Sequence, residues 1–212
     1  DIDMIREVYG FFSVAEALNA RFIVIRSKGK HFSVGADLNW MSKAVNLPHD
    51  ENLAECIELA NMFDSIRKTR KITIAIVEGS CYGGGIGLAA SCDFIIASEA
   101  SIFSFGESRL GLVPAVIAPY IINRIGKHRA LRLMLTGKEF HSEEAFQYEL
   151  IDFIAGTSAD KNAELNNLLH QLREGNVSSQ QKIKDMMLHL FFENNAPALR
   201  VKLAGILAES RI

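Results

Sequence analysis

The 212-residue chain contains few cysteines and no cysteine pair at C-x-x-C spacing. Cys56, Cys81 and Cys92 are scattered along the sequence, and any pairing among them leaves one over. This pattern argues against a disulfide framework and favours a reducing compartment, so we expect a cytoplasmic protein. The histidines show no ligand spacing with acidic residues or cysteines, and the sequence therefore predicts no metal site.

The sequence also lacks an excess of charge and any long apolar run. Lys plus Arg total 23 and Asp plus Glu total 25, which gives a formal net charge of −2. That balance supplies no basic field for nucleic acid or anionic lipid. No apolar run approaches the roughly 18 residues that a membrane span needs. We therefore expect neither a nucleic-acid nor a membrane partner, and the length fits one domain with a sizeable core.

The first half of the sequence alternates apolar strands with amphipathic helices. Short apolar or β-branched runs predict strands over 21–26, 72–77 and 94–97. Apolar residues at three- and four-residue spacing predict helices over 2–18 and 51–67, with shorter helices after Asp37 and near 85–92. This order predicts an α/β fold with mostly parallel strands.

The second half of the sequence is predicted to be mostly helical. Its helices are expected near 115–125, 127–135, 142–148, 160–173, 178–193 and 197–209. We therefore divide one structural unit into an α/β core over 1–125 and a helical region over 126–212 that packs against it or serves oligomerisation.

Two glycine-containing turns, 29–37 and 79–85, follow predicted strands and lead into predicted helices. Such places expose main-chain N–H groups, and glycine allows a ligand to approach closely. Two converging N–H donors would form an oxyanion hole, in which one donor contributes roughly 3–4 kcal/mol to transition-state stabilisation. Glycines after strands also occur in turns that only reverse the chain, so this alternative stays open.

Two other interpretations of the second turn have weaker support. Residues 85–90 match a relaxed GxGxxA dinucleotide pattern, and Glu99 follows the next strand as a ribose ligand would. However, seven residues separate the end of the strand from Gly85, and the helix is short for a crossover. Cys81 could be a nucleophile, but no neighbouring residue in the sequence supplies its base.

Glu107 is the candidate catalytic carboxylate. It lies in the apolar, aromatic and glycine-bearing stretch 101–114 rather than on a charged helix face. Desolvation there would disfavour the charged carboxylate, which suits general acid–base catalysis. The alternative is a structural partner for Arg109 or a surface cap.

These segments together resemble the crotonase superfamily, the enoyl-CoA hydratase/isomerase family. The matching segments are GKHFSVGADL at 29–38, GSCYGGG at 79–85, CDFIIA at 92–97, FSFGESRLGLVP at 103–114, and LTG at 135–137 followed by Ala145. The likeness runs through nearly the whole chain in the family's order. It implies a spiral of strand–strand–helix units, a helical C-terminal region used for trimerisation, and a homotrimer or dimer of trimers.

The resemblance also implies an acyl-CoA thioester as substrate, with coenzyme A as part of that substrate and no other cofactor. The main-chain N–H groups of Ala36 and Gly84 would hold the thioester oxygen. Ala36, Asp37, Leu38 and Asn39 would lie along the CoA moiety, and Lys30 would contact a phosphate or remain a solvated loop lysine.

The sequence departs from the family pattern at Gly87. Family hydratases use two glutamates, of which the second maps onto Glu107 and the first onto Gly87. A single carboxylate suffices for a Δ3,Δ2-enoyl-CoA isomerase, which moves one proton between two carbons. The text at 36–41 and 109–120, in contrast, is similar to the bacterial methylglutaconyl-CoA hydratase subgroup, whose members also have glycine at this position.

We therefore expect a hydratase for a branched or carboxylated 2-enoyl-CoA, with Glu107 as acid and base. An isomerase using the same residues is the first alternative, and a catalytically idle CoA-binding or interaction subunit is the second. Compared with the family pattern, the sequence also lacks leading strands before Asp1 and a final helix after Ile212. We expect it to be part of a longer protein, and the alternative is a natural truncation that would leave part of the acyl-CoA pocket unbuilt.

Overall fold

A computed structural model describes residues 1–192 and 196–210 of the chain. The helices are α1 Ile2–Val14, α2 Leu38–Ala44, α3 His49–Lys68, α4 Gly84–Ala90, α5 Ala118–Ile125, α6 Lys127–Thr136, α7 Ser142–Gln147, α8 Ser158–Glu174, α9 Val177–Phe192 and α10 Ala196–Ser210. The strands are β1 Phe22–Arg26, β2 Ile72–Val77, β3 Ser80–Tyr82, β4 Phe94–Ser98, β5 Ile102–Ser104, β6 Phe140–His141 and β7 Phe153–Ala155. Short 3₁₀ turns cover Ala15–Ala17 and Gly106–Leu110.

The larger sheet is parallel and has the strand order β1-β2-β4-β7. β2 is buried along its whole length, because α8 covers one face of this sheet and the main core covers the other. Strands buried on both faces have continuous apolar sequences, which explains the run at 72–77. The predicted α/β fold with mostly parallel strands is confirmed.

A smaller sheet has the order β3-β5-β6, with β3 parallel to β5 and β5 antiparallel to β6. The sequence did not predict β3, β5, β6 or β7. Each has only two or three residues, which is too short for alternation to be visible. The region 126–212 is mostly helical as predicted, but it also adds β7 to the larger sheet and β6 to the smaller one.

The hydrophobic core joins the two sheets to the helices around them. Phe63, Phe103, Phe105 and Phe140 are nearly fully buried, and the Phe103 and Phe140 rings stack at 5.5 Å between centroids. At the end of the described chain, α10 packs on α3 through Cys56, Ala204 and Ala208. Within the described ranges, no helix is long and apolar enough to span a membrane.

Candidate active site

Ser33 lies at the contact between the two glycine turns. Its N–H donates to Ser80 O at 3.1 Å, and its carbonyl accepts from Tyr82 N–H at 2.9 Å. Ser33 thereby forms a parallel bridge with Cys81. Ala36 and Gly84 each lie three residues beyond this bridge. The structure thus brings together the two turns that the sequence singled out.

The close approach of the turns explains the glycine at position 85. A Cβ on Gly85 would lie 2.5 Å from Ser33 Cβ, closer than two carbon atoms can pack. The Ser33 hydroxyl also accepts from Gly35 N–H at 3.3 Å, which shapes the first turn just before Ala36. Gly35 has a φ of 100°, a conformation that residues with a Cβ rarely adopt.

Glu107 reaches the same place because β3 and β5 are parallel neighbours. Tyr82 pairs with Ser104, so both strands end together, and Gly83 N–H donates to Ser104 O at 2.9 Å. The chain then enters the 3₁₀ turn Gly106–Leu110, which carries Glu107. Ligands of α/β sheets bind outside the carboxyl ends of parallel strands, and Glu107 lies at such an end.

The Glu107 carboxylate lies against Gly83 and has an unused acceptor. Its Oε1 would be 2.7 Å from a Cβ at Gly83, whose φ of 49° also favours glycine. Its Oε2 is buried and has no hydrogen-bond partner among the described residues. Burial raises the pKa of the Glu107 carboxyl above its ordinary value, because the charged form loses solvation. A carboxyl whose pKa is raised in this way is suited to general acid–base catalysis.

Gly87 lies one helical turn after Gly83 on the same face of α4, since Gly87 N–H donates to Gly83 O at 3.2 Å. A Cβ on Gly87 would lie 2.9 Å from Ile117 Cβ and still closer to Ile117 Cγ2. Phe63 Cζ would be 3.3 Å away. Ile117 and Phe63 therefore occupy the space that a side chain at position 87 would need, and a second glutamate does not fit there.

The proposed oxyanion donors lie at the starts of two helices. Gly84 is the first residue of α4, and N–H groups in the first turn of a helix have no intrahelical acceptor. Space is open beside Gly84, because an added Cβ would meet nothing within 4 Å. Ala36 is exposed and immediately precedes Asp37, the N-cap of α2.

The candidate CoA-binding residues surround the start of α2. Asp37 Oδ1 accepts from Trp40 N–H at 2.8 Å, which confirms the predicted cap. Leu38 begins α2, and Asn39 follows it with an exposed side chain. Lys30 is exposed in the first turn, and its carbonyl oxygen would lie 2.5 Å from a Cβ on Gly79.

The structure disfavours the alternatives that the second turn left open. Gly85 and Gly87 contact Ser33 and Ile117 rather than an open ligand site, and α4 ends at Ala90, so a dinucleotide fold does not apply. Cys81 is fully buried, and burial raises the pKa of its thiol, which disfavours the reactive thiolate.

Among the described residues, no three His, Cys, Asp or Glu side chains are placed to share a metal ion.

A separate cavity lies away from the glycine turns. It has a volume of about 510 Å³ and lies between α5, α9 and the edges of β2 and β4. Its lining includes Ile72, Phe94, Tyr120, Arg124, Lys184 and Met187. Ala36, Gly84 and Glu107 do not line it.

Sequence reasoning missed several residues that build this site. Gly83 was noticed only as part of a glycine run, and nothing local marked its contact with Glu107. Ile117 follows Pro114 in an apolar stretch that predicts burial but no partner. His31 and Ser33 stood inside the first turn, where their polar side chains were the available signal.

Comparison with known sequences identifies a family. The profile of the family described as "Enoyl-CoA hydratase/isomerase" matches residues 2–203. An enoyl-CoA hydratase of Alternaria alternata is 31% identical over 150 residues, which are 71% of this chain and 48% of that protein. A trans-2-decenoyl-[acyl-carrier-protein] isomerase of Streptococcus mutans is 28% identical over 79% of this chain and 64% of its own length. The chain thus spans about half the length of the Alternaria relative.

Solved structures show the same fold. An enoyl-CoA hydratase from Shewanella pealeana is 31% identical and superposes with a TM-score of 0.84, over 91% of this chain and 73% of that one. A Thermobifida fusca protein in complex with acetoacetyl-CoA is 26% identical with a TM-score of 0.82, over 99% of this chain and 85% of that one. The fold, the glycine turns and the profile match agree: the chain belongs to the enoyl-CoA hydratase/isomerase family, the crotonase superfamily.

Proposed function

We propose that this chain hydrates a 2-enoyl-CoA thioester to a 3-hydroxyacyl-CoA, with Glu107 as both general base and general acid. The observation that carries this proposal is the half-buried Glu107, whose Oε2 is itself buried and has no hydrogen-bond partner in the described chain. It lies against Gly83, directly before the helix start that presents Gly84 N–H. A proton acceptor therefore lies next to a donor that can hold a carbonyl oxygen.

The proposed reaction needs one carboxylate and two N–H donors. Glu107 takes a proton from water while the water oxygen bonds to C3 of the enoyl group. The C2=C3 electrons move toward the thioester oxygen, which becomes an enolate held by Ala36 and Gly84 N–H. When the enolate collapses, Glu107 returns its proton to C2. One water is consumed and Glu107 regains its starting state.

A Glu107→Gln variant tests this proposal. We expect kcat for hydration to fall by about 10²- to 10⁴-fold, because the amide cannot accept the proton. Loss of the 2-enoyl absorbance measures the reaction, and Glu99→Gln, an exposed glutamate after β4, is the matched control. Undiminished hydration by Glu107→Gln would overturn the proposal. Tight CoA binding without turnover of any acyl-CoA would support a catalytically idle subunit instead.

A Δ3,Δ2-enoyl-CoA isomerase is the second candidate, and Gly87 favours it. Ile117 fills the space where a second carboxylate would project, and double-bond migration needs only one base. Parallel incubation of a 3-enoyl-CoA and a 2-enoyl-CoA separates the two candidates. Migration of the double bond without addition of water would favour the isomerase, and formation of a 3-hydroxyacyl-CoA would favour the hydratase.

For the acyl group, we propose a branched and carboxylated chain of the methylglutaconyl type. The support is the text at 36–41 and 109–120, together with the glycine at position 87. A second carboxylate on the substrate could orient water where the protein offers no second glutamate. Equal kcat/KM for a methylglutaconyl-type substrate and for an unbranched, uncarboxylated enoyl-CoA would contradict this choice.

We further propose that the protein assembles as a homotrimer or a dimer of trimers. The exposed apolar side chains of Met186 and Leu190, one turn apart on α9, support a contact with another copy. Sedimentation equilibrium tests this assembly. We expect the double variant Met186→Glu and Leu190→Glu to shift the protein toward the monomer, and a monomeric wild-type protein would contradict the proposal.

A further inference from the structure

The hydrogen bonds between the two glycine turns change register just before Ser33. At the bridge, Ser33 pairs with Ser80 and Tyr82 as in a regular parallel ladder. Continued by two residues, that ladder would bring His31 N–H to Glu78 O and His31 O to Ser80 N–H. Instead, Phe32 N–H donates to Glu78 O at 2.8 Å. The pairing register therefore shifts by one residue. As a result, Ser80 N–H lacks the main-chain acceptor that a regular ladder would give it.

The side chain of His31 supplies the missing acceptor. Ser80 N–H donates to His31 Nδ1 at 3.0 Å, so an imidazole nitrogen takes the place of a carbonyl oxygen. Gly79 makes room for the ring: its φ is 58°, and a Cβ there would lie 2.8 Å from His31 Nδ1. Gly79, the one-residue shift in register and the His31 imidazole therefore form one arrangement, in which the imidazole accepts the hydrogen bond of Ser80 N–H.

We propose that His31 is a positioning residue for the oxyanion hole. This inference rests on the proposed function for its kinetic consequence. The Ser80–His31 bond fixes the first turn to the second, upstream of both Ala36 and Gly84. Misplacing a catalytic group by about 1 Å can reduce turnover by about a hundredfold. The His31 bond adds to the main-chain bonds of Phe32 and Ser33 in fixing the spacing of two N–H donors on separate turns. His31 does not touch the reacting atoms in this proposal.

The bond sets the tautomer of His31. Nδ1 accepts this hydrogen bond only when it carries a lone pair, so the bond requires an Nδ1 without a proton. This state can be observed directly, because the ¹⁵N shifts of an imidazole distinguish a protonated from an unprotonated nitrogen. The wild-type protein is expected to show an unprotonated Nδ1, and a protonated Nδ1 would overturn the proposal without any assay of activity.

Two variants separate the acceptor from the ring. His31→Asn keeps an acceptor, because Oδ1 is the same number of bonds from Cα as Nδ1, but it loses the ring. His31→Phe keeps a ring of similar shape and loses the acceptor. We expect His31→Phe to lower kcat by about tenfold to a hundredfold with little change in KM, and His31→Asn to restore most of that loss. His128→Phe, on an exposed part of α6, is the control and should leave kcat unchanged.

Hydrogen exchange at Ser80 N–H gives a second measurement that needs no substrate. We expect faster exchange than wild type in His31→Phe and wild-type protection in His31→Asn. Equal exchange and equal kcat in all three proteins would overturn the role of His31. If no acyl-CoA is turned over by the wild type, the proposed function fails, while the tautomer and exchange measurements still decide whether His31 connects the turns.

Discussion

Gly87 lies under Ile117, and no side chain fits between them. The residue has an ordinary helical environment, so neither its φ nor a local turn demands glycine. What demands it is a buried neighbour thirty positions later in the sequence, of which only 3% is exposed. A glutamate at position 87, as in the family pattern, does not fit while Ile117 keeps its present position.

A Gly87→Ala substitution is expected to destabilise the fold by about 1–3 kcal/mol, because it overpacks the contact with Ile117. Urea denaturation measures the free energy of unfolding. Gly10→Ala in α1 is the control, since nothing lies within 4 Å of its added Cβ, and we expect it to stabilise by roughly 0.5–1 kcal/mol. A Gly87→Ala protein as stable as wild type would show that Ile117 can move aside.

Glu107 affects stability as well as activity, and the direction follows from its raised pKa. The folded state holds the Glu107 proton more tightly than the unfolded chain, so this group's contribution to stability is full below its ordinary value of about 4.5. That contribution is lost as pH rises through the raised pKa. Glu107→Gln should therefore melt at a higher temperature than wild type at about pH 8, with the difference shrinking toward about pH 4. A difference in Tm that grows as pH falls would contradict the raised pKa of the Glu107 carboxyl.

At the scale of elements, the starts of short helices present the candidate binding groups. α2 has seven residues, too few for stability in isolation, so its cap and its packing decide whether it forms. The Trp40 indole N–H donates to Glu55 at 2.7 Å and attaches α2 to α3. Asp37 then fixes the first turn, next to Ala36.

Asp37→Ala and Thr157→Ala test whether the α2 cap serves binding. Both residues are N-caps, and Thr157 forms a capping box with Asp160 at the start of α8. Each substitution should destabilise by about 1 kcal/mol. Only Asp37→Ala should also raise KM for acyl-CoA, since only α2 adjoins the proposed site. Equal KM values for acyl-CoA in the two variants would show that α2 does not contribute to binding.

At the scale of the whole molecule, Asp64 connects distant parts of the chain. Its carboxylate pairs with Lys68 at 2.8 Å and with Arg67 on its own helix, and with Arg200 on α10. Burial opposes the charge of Asp64, but the hydrogen bonds and charges of Lys68 and Arg67 outweigh it and lower its pKa. The resulting stability is present above the ordinary value of about 3.8 and is lost as pH falls through the lowered pKa.

Asp64→Asn should therefore lower the free energy of unfolding at neutral pH by about 3 kcal/mol, because Arg67, Lys68 and Arg200 lose their buried, negatively charged partner. The loss should disappear in acid, where wild-type Asp64 is itself protonated. Glu58→Gln breaks the largely exposed Arg6–Glu58 pair between α1 and α3 and should change stability by less than about 1 kcal/mol. Urea titrations across pH measure both, and equal effects of the two substitutions would contradict a special role for the buried carboxylate.

The long elements could be predicted because their signals are local. α3, α8 and β2 each repeat an apolar spacing over several turns or residues, and the structure places them within two residues of the predicted bounds. The strands of two or three residues could not be predicted, since each depends on the strands with which it pairs in the folded chain rather than on its own side chains. The same limit applies to the site: glycines and Glu107 were visible, but their partners were not.

The sequence by itself determined the α/β class, the two glycine turns and the candidate carboxylate Glu107. Apolar periodicity, glycines after a strand and an acidic residue in an apolar segment can all be recognised from contiguous residues. Only the tertiary structure decided that Ser33 holds the turns together, that His31 replaces a main-chain acceptor, and that Ile117 closes the space above Gly87. Those contacts join residues from about 30 to about 50 positions apart, and chain packing rather than local propensity sets which of them meet.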